Sequence, residues 1–310
     1  MPIARFVVKV MMACVVLCVV GTLFSMKVLG KMQLGGSALV YSINESVYTT
    51  RLFITGFNTF SGLPTFSQFL ATDLPFADNP ACSPNGDYIA FYSMNLYITD
   101  IYGNHLERLT NAEEMMDRPF EWLPDGHRIA FTRNAVGNIS TTVYLWDINT
   151  HTETLFYSAS NIPVHPNWSP DGRQIIYTLF QREPLTAQIY VSDADGDNAV
   201  RLTTDDETLY YGPRWSPDGS KIVFFTAFPD QYVQTIYSLG IYIMNNDGSE
   251  IQQLTDMDAY NPVWSPDGNF VAFGAIVDGQ FDIFVINVNN HELRQISNDI
   301  YWESVPCWLP

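Results

Sequence analysis

The residues of this chain most capable of chemistry are five histidines, four cysteines and 33 carboxylates. Their placement limits what they can do together. His127 follows a Pro-Asp-Gly turn, and His105, His151 and His291 fall in short polar stretches between apolar runs. That leaves His165, in "VHPNW", apart from the rest. A metal-dependent lyase or hydrolase needs several histidines or carboxylates converging on one point. One isolated imidazole is expected to be a hydrogen-bonding wall residue. The stretch "DADGDN" (Asp193, Asp195, Asp197) resembles the start of an EF-hand loop, but its twelfth position is Thr204, where a bidentate Glu belongs. It is expected to be a hairpin turn, and the aspartates of the repeated "PDG" are expected to shape turns rather than act as acids. There is no G-x-S-x-G elbow, no H-E-x-x-H and no Gly-rich phosphate loop. The expectation is therefore no catalytic residue, no metal and no cofactor.

What must position such residues is a repeat. Gly86, Gly126, Gly172, Gly219 and Gly268 recur at intervals of 40, 46, 47 and 49 residues, and Pro266 to Pro310 adds a further 44. A period in the forties with only β-type patterning predicts one four-stranded blade per repeat, a β-propeller. Within each unit the first strand ends in the phrase seen as "NWSPDG", "RWSPDG" and "VWSPDG", and more loosely as "EWLPDG". Pro at the second turn position and Gly at the fourth suit a tight turn. A short apolar run such as "KIVFF" follows, then "IYVSD" or "IFVIN", then "AVRLT" or "LRQIS".

These phrases, with "WSPDG" leading into an apolar strand and "IYVSDADG" into "RLT", resemble the TolB-like β-propeller family, whose WD-repeat-like blades also occur in the propellers of prolyl-peptidase-type hydrolases. The resemblance runs over roughly residues 37 to 310. It implies a scaffold that hosts many activities. TolB itself carries an α/β domain ahead of its propeller, whereas here the blades begin directly after residue 36, so the expected match is to the propeller family and not to TolB.

The expected fold is all-β: a six-bladed propeller over 35–310, preceded by a hydrophobic helix within an N-terminal segment, 1–34. Five copies run from about Pro80 to Ser297. The chain then stops at "PCWLP", part-way through a sixth. "GGSALVYS", Gly35 to Ser42, aligns with "DGSKIVFF", so the C-terminal strand is expected to join three N-terminal strands and close the ring, which hides the open sheet edges. Trp122, Trp168, Trp215, Trp264 and Trp308, with Cys82 in the equivalent place, are expected to pack between blades. Cys82 and Cys307 then sit in adjoining blades, but in different registers of their strands, so a disulfide between them is not expected.

Long second-to-third-strand loops are expected on the face opposite the "SPDG" turns, in "TRNAVGNISTT", "LFQREPLTAQ" and "TAFPDQYVQTIYSLG". The residues before each repeat's Pro should ring the channel mouth on that face: Asn79, Arg118, His165, Tyr211 with Gly212, Tyr260 with Asn261, and a stretch that includes Trp302 and Glu303. That mixture of amide, aromatic and cationic groups suits a protein, peptide or glycan.

Composition bounds the partners. Of 310 residues, 47% are hydrophobic and 15% charged, which excludes a disordered chain. Residues 1–36 hold Arg5, Lys9, Lys27 and Lys31 and no acid, leaving 11 basic against 33 acidic groups, a net of −22. Such a surface repels phosphate backbones, so nucleic acid is not an expected partner. Residues 10–26 form an uncharged run of 17 flanked by basic residues, which reads as an uncleaved membrane anchor or a signal segment. The leading expectation is thus a monomeric, extracytoplasmic binding or scaffold propeller, in the periplasm or at the cell surface. The alternative is a carbohydrate lyase or hydrolase with an acidic channel, which requires His165 and at least two carboxylates at one point.

Overall fold

The computed structural model describes residues 38–46, 49–57, 64–70, 74, 77–111, 115–135, 141–159, 162–182, 184–229, 236–297, 302–303 and 306–309. Every regular element among them is a β-strand, and the strands form the six antiparallel sheets of a propeller. Blade 1 is β4 (Asp78–Cys82), β5 (Tyr88–Ser93), β6 (Asn95–Asp100) and β7 (Glu107–Arg108). Blade 2 is β8 (Met115–Trp122), β9 (Arg128–Ala135), β10 (Thr141–Asp147) and β11 (Thr152–Ala159). Blade 3 is β12 (Ile162–Trp168), β13 (Gln174–Arg182), β14 (Leu185–Asp193) and β15 (Val200–Arg201). Blade 4 is β16 (Leu209–Trp215), β17 (Lys221–Pro229), β18 (Ile236–Asn245) and β19 (Gln252–Thr255). Blade 5 is β20 (Ala259–Trp264), β21 (Phe270–Val277), β22 (Gln280–Asn287) and β23 (Leu293–Gln295). In the sixth sheet β1 (Ala38–Ser46), β2 (Thr49–Phe57) and β3 (Pro64–Phe69) follow one another, and β1 also pairs with β24 (Trp302–Glu303) and β25 (Cys307–Leu309). Leu39 stands opposite Trp308 and Val40 opposite Cys307.

The repeated turn works as a small hydrogen-bonded machine. In blade 4 the Gly219 amide donates to Ser216 O at 2.9 Å, the Lys221 amide to Ser216 Oγ at 2.9 Å, and that hydroxyl donates to Asp218 at 2.6 Å. The same set recurs at Ser169 and Asp171, and at Ser265 and Asp267. Accepting these bonds holds the carboxyls low: the Ser169 hydroxyl, then the Arg173 amide, lower Asp171, and Ser216 and Ser220 lower Asp218. These aspartates are anions that hold turns. "DADGDN" is the hairpin between β14 and β15, with the Gly196 amide on Asp193 O and Asn198 Nδ2 on the Asp193 carboxylate.

In blades 1 to 5 an aromatic on the second strand stacks on its cross-strand partner in the third. Phe91 meets Tyr97 at 5.8 Å between ring centroids, Phe131 meets Tyr144 at 5.8 Å, Phe224 meets Tyr242 at 5.9 Å and Phe273 meets Phe284 at 6.0 Å. Such pairs add about 0.5–1.5 kcal/mol each beyond area burial. Alternation along the strand puts every one of these rings on the same side of its blade.

At three of the seams between blades the Trp slot reaches back to its neighbour. Trp122 Nε1 donates to Ala81 O at 2.9 Å, Trp264 Nε1 to Arg214 O at 3.2 Å, and Trp308 Nε1 to Val263 O at 3.3 Å. In each case the acceptor immediately precedes the Trp slot of the preceding blade. At the seam between blades 6 and 1 the slot holds Cys82, and the residue it reaches back to is Cys307. Here the structure corrects the sequence expectation: Cys82 and Cys307 form a disulfide, with Cα atoms 5.6 Å apart. Their one-residue difference in register does not separate them. It is the same stagger by which Trp122, Trp264 and Trp308 address the blade before them.

The expected top loops are shorter than they read. In blade 3 the ladder continues past the core, with Phe180 opposite Ala187 and Arg182 opposite Leu185, so most of "LFQREPLTAQ" is hairpin. Blade 4 likewise extends through Phe228 opposite Tyr237, with a bulge at Leu239, next to Gly240. Gly240 has a φ of +119°, and a Cβ there would stand 1.9 Å from Thr255 O. Gly240→Ala is therefore expected to cost at least about 3 kcal/mol, because left-handed strain and overlap with backbone add together. Urea unfolding against wild type checks this, and a change below 1 kcal/mol would refute it.

Candidate functional site

A cavity of about 680 Å³ runs between the innermost strands and is walled by residues of all six blades. Its size falls within the roughly 300–1,000 Å³ typical of ligand pockets. Two rings of side chains line it, and both follow from the phrase that ends each first strand.

The upper ring is made by the residue before each Pro. Proline has no N–H to give the ladder, so a bulge forms at this step, with register breaks between Asp78 and Ala81, Val164 and Asn167, Tyr211 and Arg214, and Tyr260 and Val263. Asn79, His165, Gly212 and Asn261 adopt left-handed φ of +50°, +55°, +59° and +53°, and all four line the cavity. Asn and Gly tolerate that conformation, and His165 is held in it.

The lower ring is the residue before each Trp slot: Ala81, Glu121, Asn167, Arg214, Val263 and Cys307. Blades 2, 3 and 4 supply a polar arc. Arg214 Nη1 donates to the Glu121 carboxylate, Asn167 Nδ2 donates to Glu121 at 3.3 Å, and Asn167 Oδ1 accepts the Trp215 amide at 2.8 Å. Blades 5, 6 and 1 supply an apolar arc that ends in the disulfide. Burial pushes the Glu121 carboxyl up, and the Arg214 cation and the Arg214 and Asn167 hydrogen bonds pull against that. His165 is held down to about 4, first by burial and then by the Arg214 guanidinium, so its imidazole is neutral at pH 7. Its Nδ1 is sealed in the wall without a partner. The ring therefore meets the cavity through Nε2.

Of the expected rim residues, Asn79, His165 and Asn261 come together on the cavity wall. Tyr211 and Tyr260 lie one residue earlier, still in the ladder opposite Phe225 and Gly274. Alternation turns them away from the cavity and into the seam between blades 4 and 5. Tyr211 is buried 5.5 Å from the Phe225 ring, Tyr260 meets Phe225 edge-on at 5.5 Å, and the Tyr260 hydroxyl donates to Asp258 at 2.6 Å. Arg118, Trp302 and Glu303 belong to strands β8 and β24, but their side chains lie outside the described residues. The sequence reading missed Glu121, Asn167 and Arg214. The signal was the residue before each Trp, which points inward two positions after the bulge.

Fold and site together define a six-bladed propeller with a ligand-sized central channel. The chain belongs to the TolB beta propeller domain family, whose profile matches residues 68–256, more than half of its length. Among solved structures, a protein assigned as TolB from Agrobacterium tumefaciens is 22% identical with a TM-score of 0.63, over 86% of this chain and 91% of that one. TolB from Acinetobacter baumannii is 14% identical with a TM-score of 0.55, over 91% and 86%. A chain of the nidogen/laminin complex is 9% identical with a TM-score of 0.68, over 89% and 99%. At these identities the likeness concerns the fold. An uncharacterized peptidase of Bacillus subtilis, YuxL, is 26% identical over 87 residues, which are 27% of this chain and 13% of the peptidase. The chain thus spans a small part of that relative's length.

Proposed function

We propose that this propeller is a non-enzymatic binding module whose channel mouth receives part of a protein, peptide or glycan. The observation that carries this reading is the wall itself: amides, a neutral imidazole and a Glu121–Arg214 pair that neutralises itself. The lyase or hydrolase alternative needs His165 beside two carboxylates. Among the described residues no cluster of three His, Cys, Asp or Glu fit to hold a metal occurs, and the charge acting on His165 is the Arg214 cation. A surface of net −22 outside the first 36 residues argues against a nucleic-acid partner.

The propeller is further proposed to act outside the cytoplasm, as a ring closed by its C-terminal strand. Residues 10–26 would hold it to the membrane, and a disulfide belongs in an oxidising compartment. Residues 10–26 lie outside the described residues, and among the described ones no helix is long and apolar enough to cross a membrane.

The test is capture from an envelope extract with the full chain as bait. Asn79→Gly and Asn261→Gly remove the amides while keeping the left-handed backbone that Gly212 already shows to be compatible with this position. The double variant is expected to lose at least about tenfold in capture, the effect of about 1.4 kcal/mol. Undiminished capture would remove the channel from the binding surface.

A further inference from the structure

The occupant's chemistry is narrower than a binding module requires. We propose that the channel is a saccharide site that takes a neutral, hydroxyl-rich sugar ring. This rests on the binding reading above.

Three observations carry it. First, the described part of the wall is without net charge in an acidic protein: Glu121 and Arg214 are the only ionic side chains among the described lining residues, and they are bound to each other. An ionic ligand against this wall would lose hydration without gaining a free counter-charge from the described residues. Second, the polar groups that remain are carboxamides and a neutral imidazole. Asn79 and Asn261 sit in the upper ring on either side of the apolar arc, Asn167 lies in the polar arc, and His165 presents Nε2. A carboxamide offers donors and acceptors side by side, which matches neighbouring hydroxyls that also do both. With Nδ1 sealed and the Arg214 cation opposing a second proton, the imidazole keeps a single proton.

Third, the wall has two natures. The polar arc of blades 2 to 4 faces an apolar arc in which Val263 and the partly exposed indoles of Trp264 and Trp308 line the cavity. A pyranose has this same division, with hydroxyls around its rim and C–H groups on its faces, and flat aromatic surfaces accept such a face. Gly212 leaves the upper ring without a side chain beside His165, where a Cβ would stand 3.8 Å from Nδ1. At about 680 Å³ the channel has room for more than one sugar ring.

The experiment presents the full chain with three sets of probes: neutral oligosaccharides, uronic-acid oligosaccharides and uncharged hexapeptides. Binding is read by tryptophan fluorescence and by the indole N–H resonances. Saturable binding of neutral oligosaccharides is expected, weakened at least about tenfold in Asn79→Gly/Asn261→Gly. Binding only of uronic-acid probes, or only of peptides, would overturn the saccharide assignment and leave the binding module standing. Binding of no probe together with undiminished envelope capture by the Asn variants would overturn both. Saccharide binding that the Asn variants do not weaken would place it outside the channel and overturn the inference alone.

Discussion

Replacing Cys82 or Cys307 with Ser is expected to lower the melting temperature of the propeller by about 10 °C, the largest loss any single side chain here should produce. The two cysteines are 225 residues apart, so the bond closes a loop that contains most of the domain. In the chain-entropy picture a loop of that length restricts the unfolded chain by about 5 kcal/mol at 25 °C, with native strain subtracting from it. For a domain of this size each kcal/mol shifts the midpoint by roughly 2–4 °C. The bond also stands where three other seams have a Trp reaching back, so cutting it leaves the seam between blades 6 and 1 without either device. Three measurements should agree: Cys82→Ser, Cys307→Ser and the wild type in excess dithiol. The double variant should be no less stable than either single one, because both remove the same bond. A wild-type midpoint indifferent to dithiol would refute the assignment.

The second large effect is expected at Arg214. Its guanidinium is three-quarters buried, as is the Glu121 carboxylate it holds, with 25% and 23% of the two side chains exposed. Arg214→Met strands a carboxylate in the channel wall, and breaking a buried pair from one side costs about 3–5 kcal/mol. Adding Glu121→Gln should recover most of that loss, since the cost lies in the uncompensated charge rather than in the missing attraction. The pH dependence gives the sign. Burial raises the Glu121 carboxyl, so the folded state holds this proton more tightly than the unfolded chain. Stability from this group is present at low pH and falls as pH rises from the ordinary carboxylate value, about 4.3, through the raised folded one.

Arg214→Met removes the opposing cation and lifts that folded value further. Its deficit relative to Arg214→Met/Glu121→Gln should therefore shrink as the pH is lowered from 7.5 to 5. His165 contributes the opposite slope between its ordinary 6.5 and its folded value of about 4, because a depressed base releases its proton on folding. It is present in both variants, so comparing them isolates Glu121. Urea unfolding at the two pH values decides, and a deficit that does not change with pH would show that Glu121 is not the stranded charge.

How much of this could be read in advance differs from residue to residue. The blade was legible because its turn is a local device: Ser216, Pro217, Asp218 and Gly219 carry their own hydrogen bonds and their own left-handed glycine within four positions. The stacked rings were not read, since pairing Phe224 with Tyr242 needs the cross-strand register that the structure supplies. The rim was legible only to within one residue. A bulge at an X-Pro step changes which neighbour faces inward, and Tyr211 and Gly212, adjacent in sequence, end on opposite sides of that decision.

By itself the sequence determined the number of blades, the class of turn that ends each first strand, the Trp at five of the six slots and the acidity of the chain. These depend on periodicity and on interactions within a few residues. Only the tertiary structure decided what meets across the ring. Glu121 and Arg214 are 93 residues apart and three blades contribute to their network, so no local spacing encodes their pairing. The disulfide is the sharpest case. Read along the strands, Cys82 and Cys307 are out of register, yet blades pack with a stagger that brings Trp122, Trp264 and Trp308, like Cys82, onto the residue before the preceding slot. That stagger arises from how twisted sheets lie against one another around an axis, and a linear repeat carries no record of it.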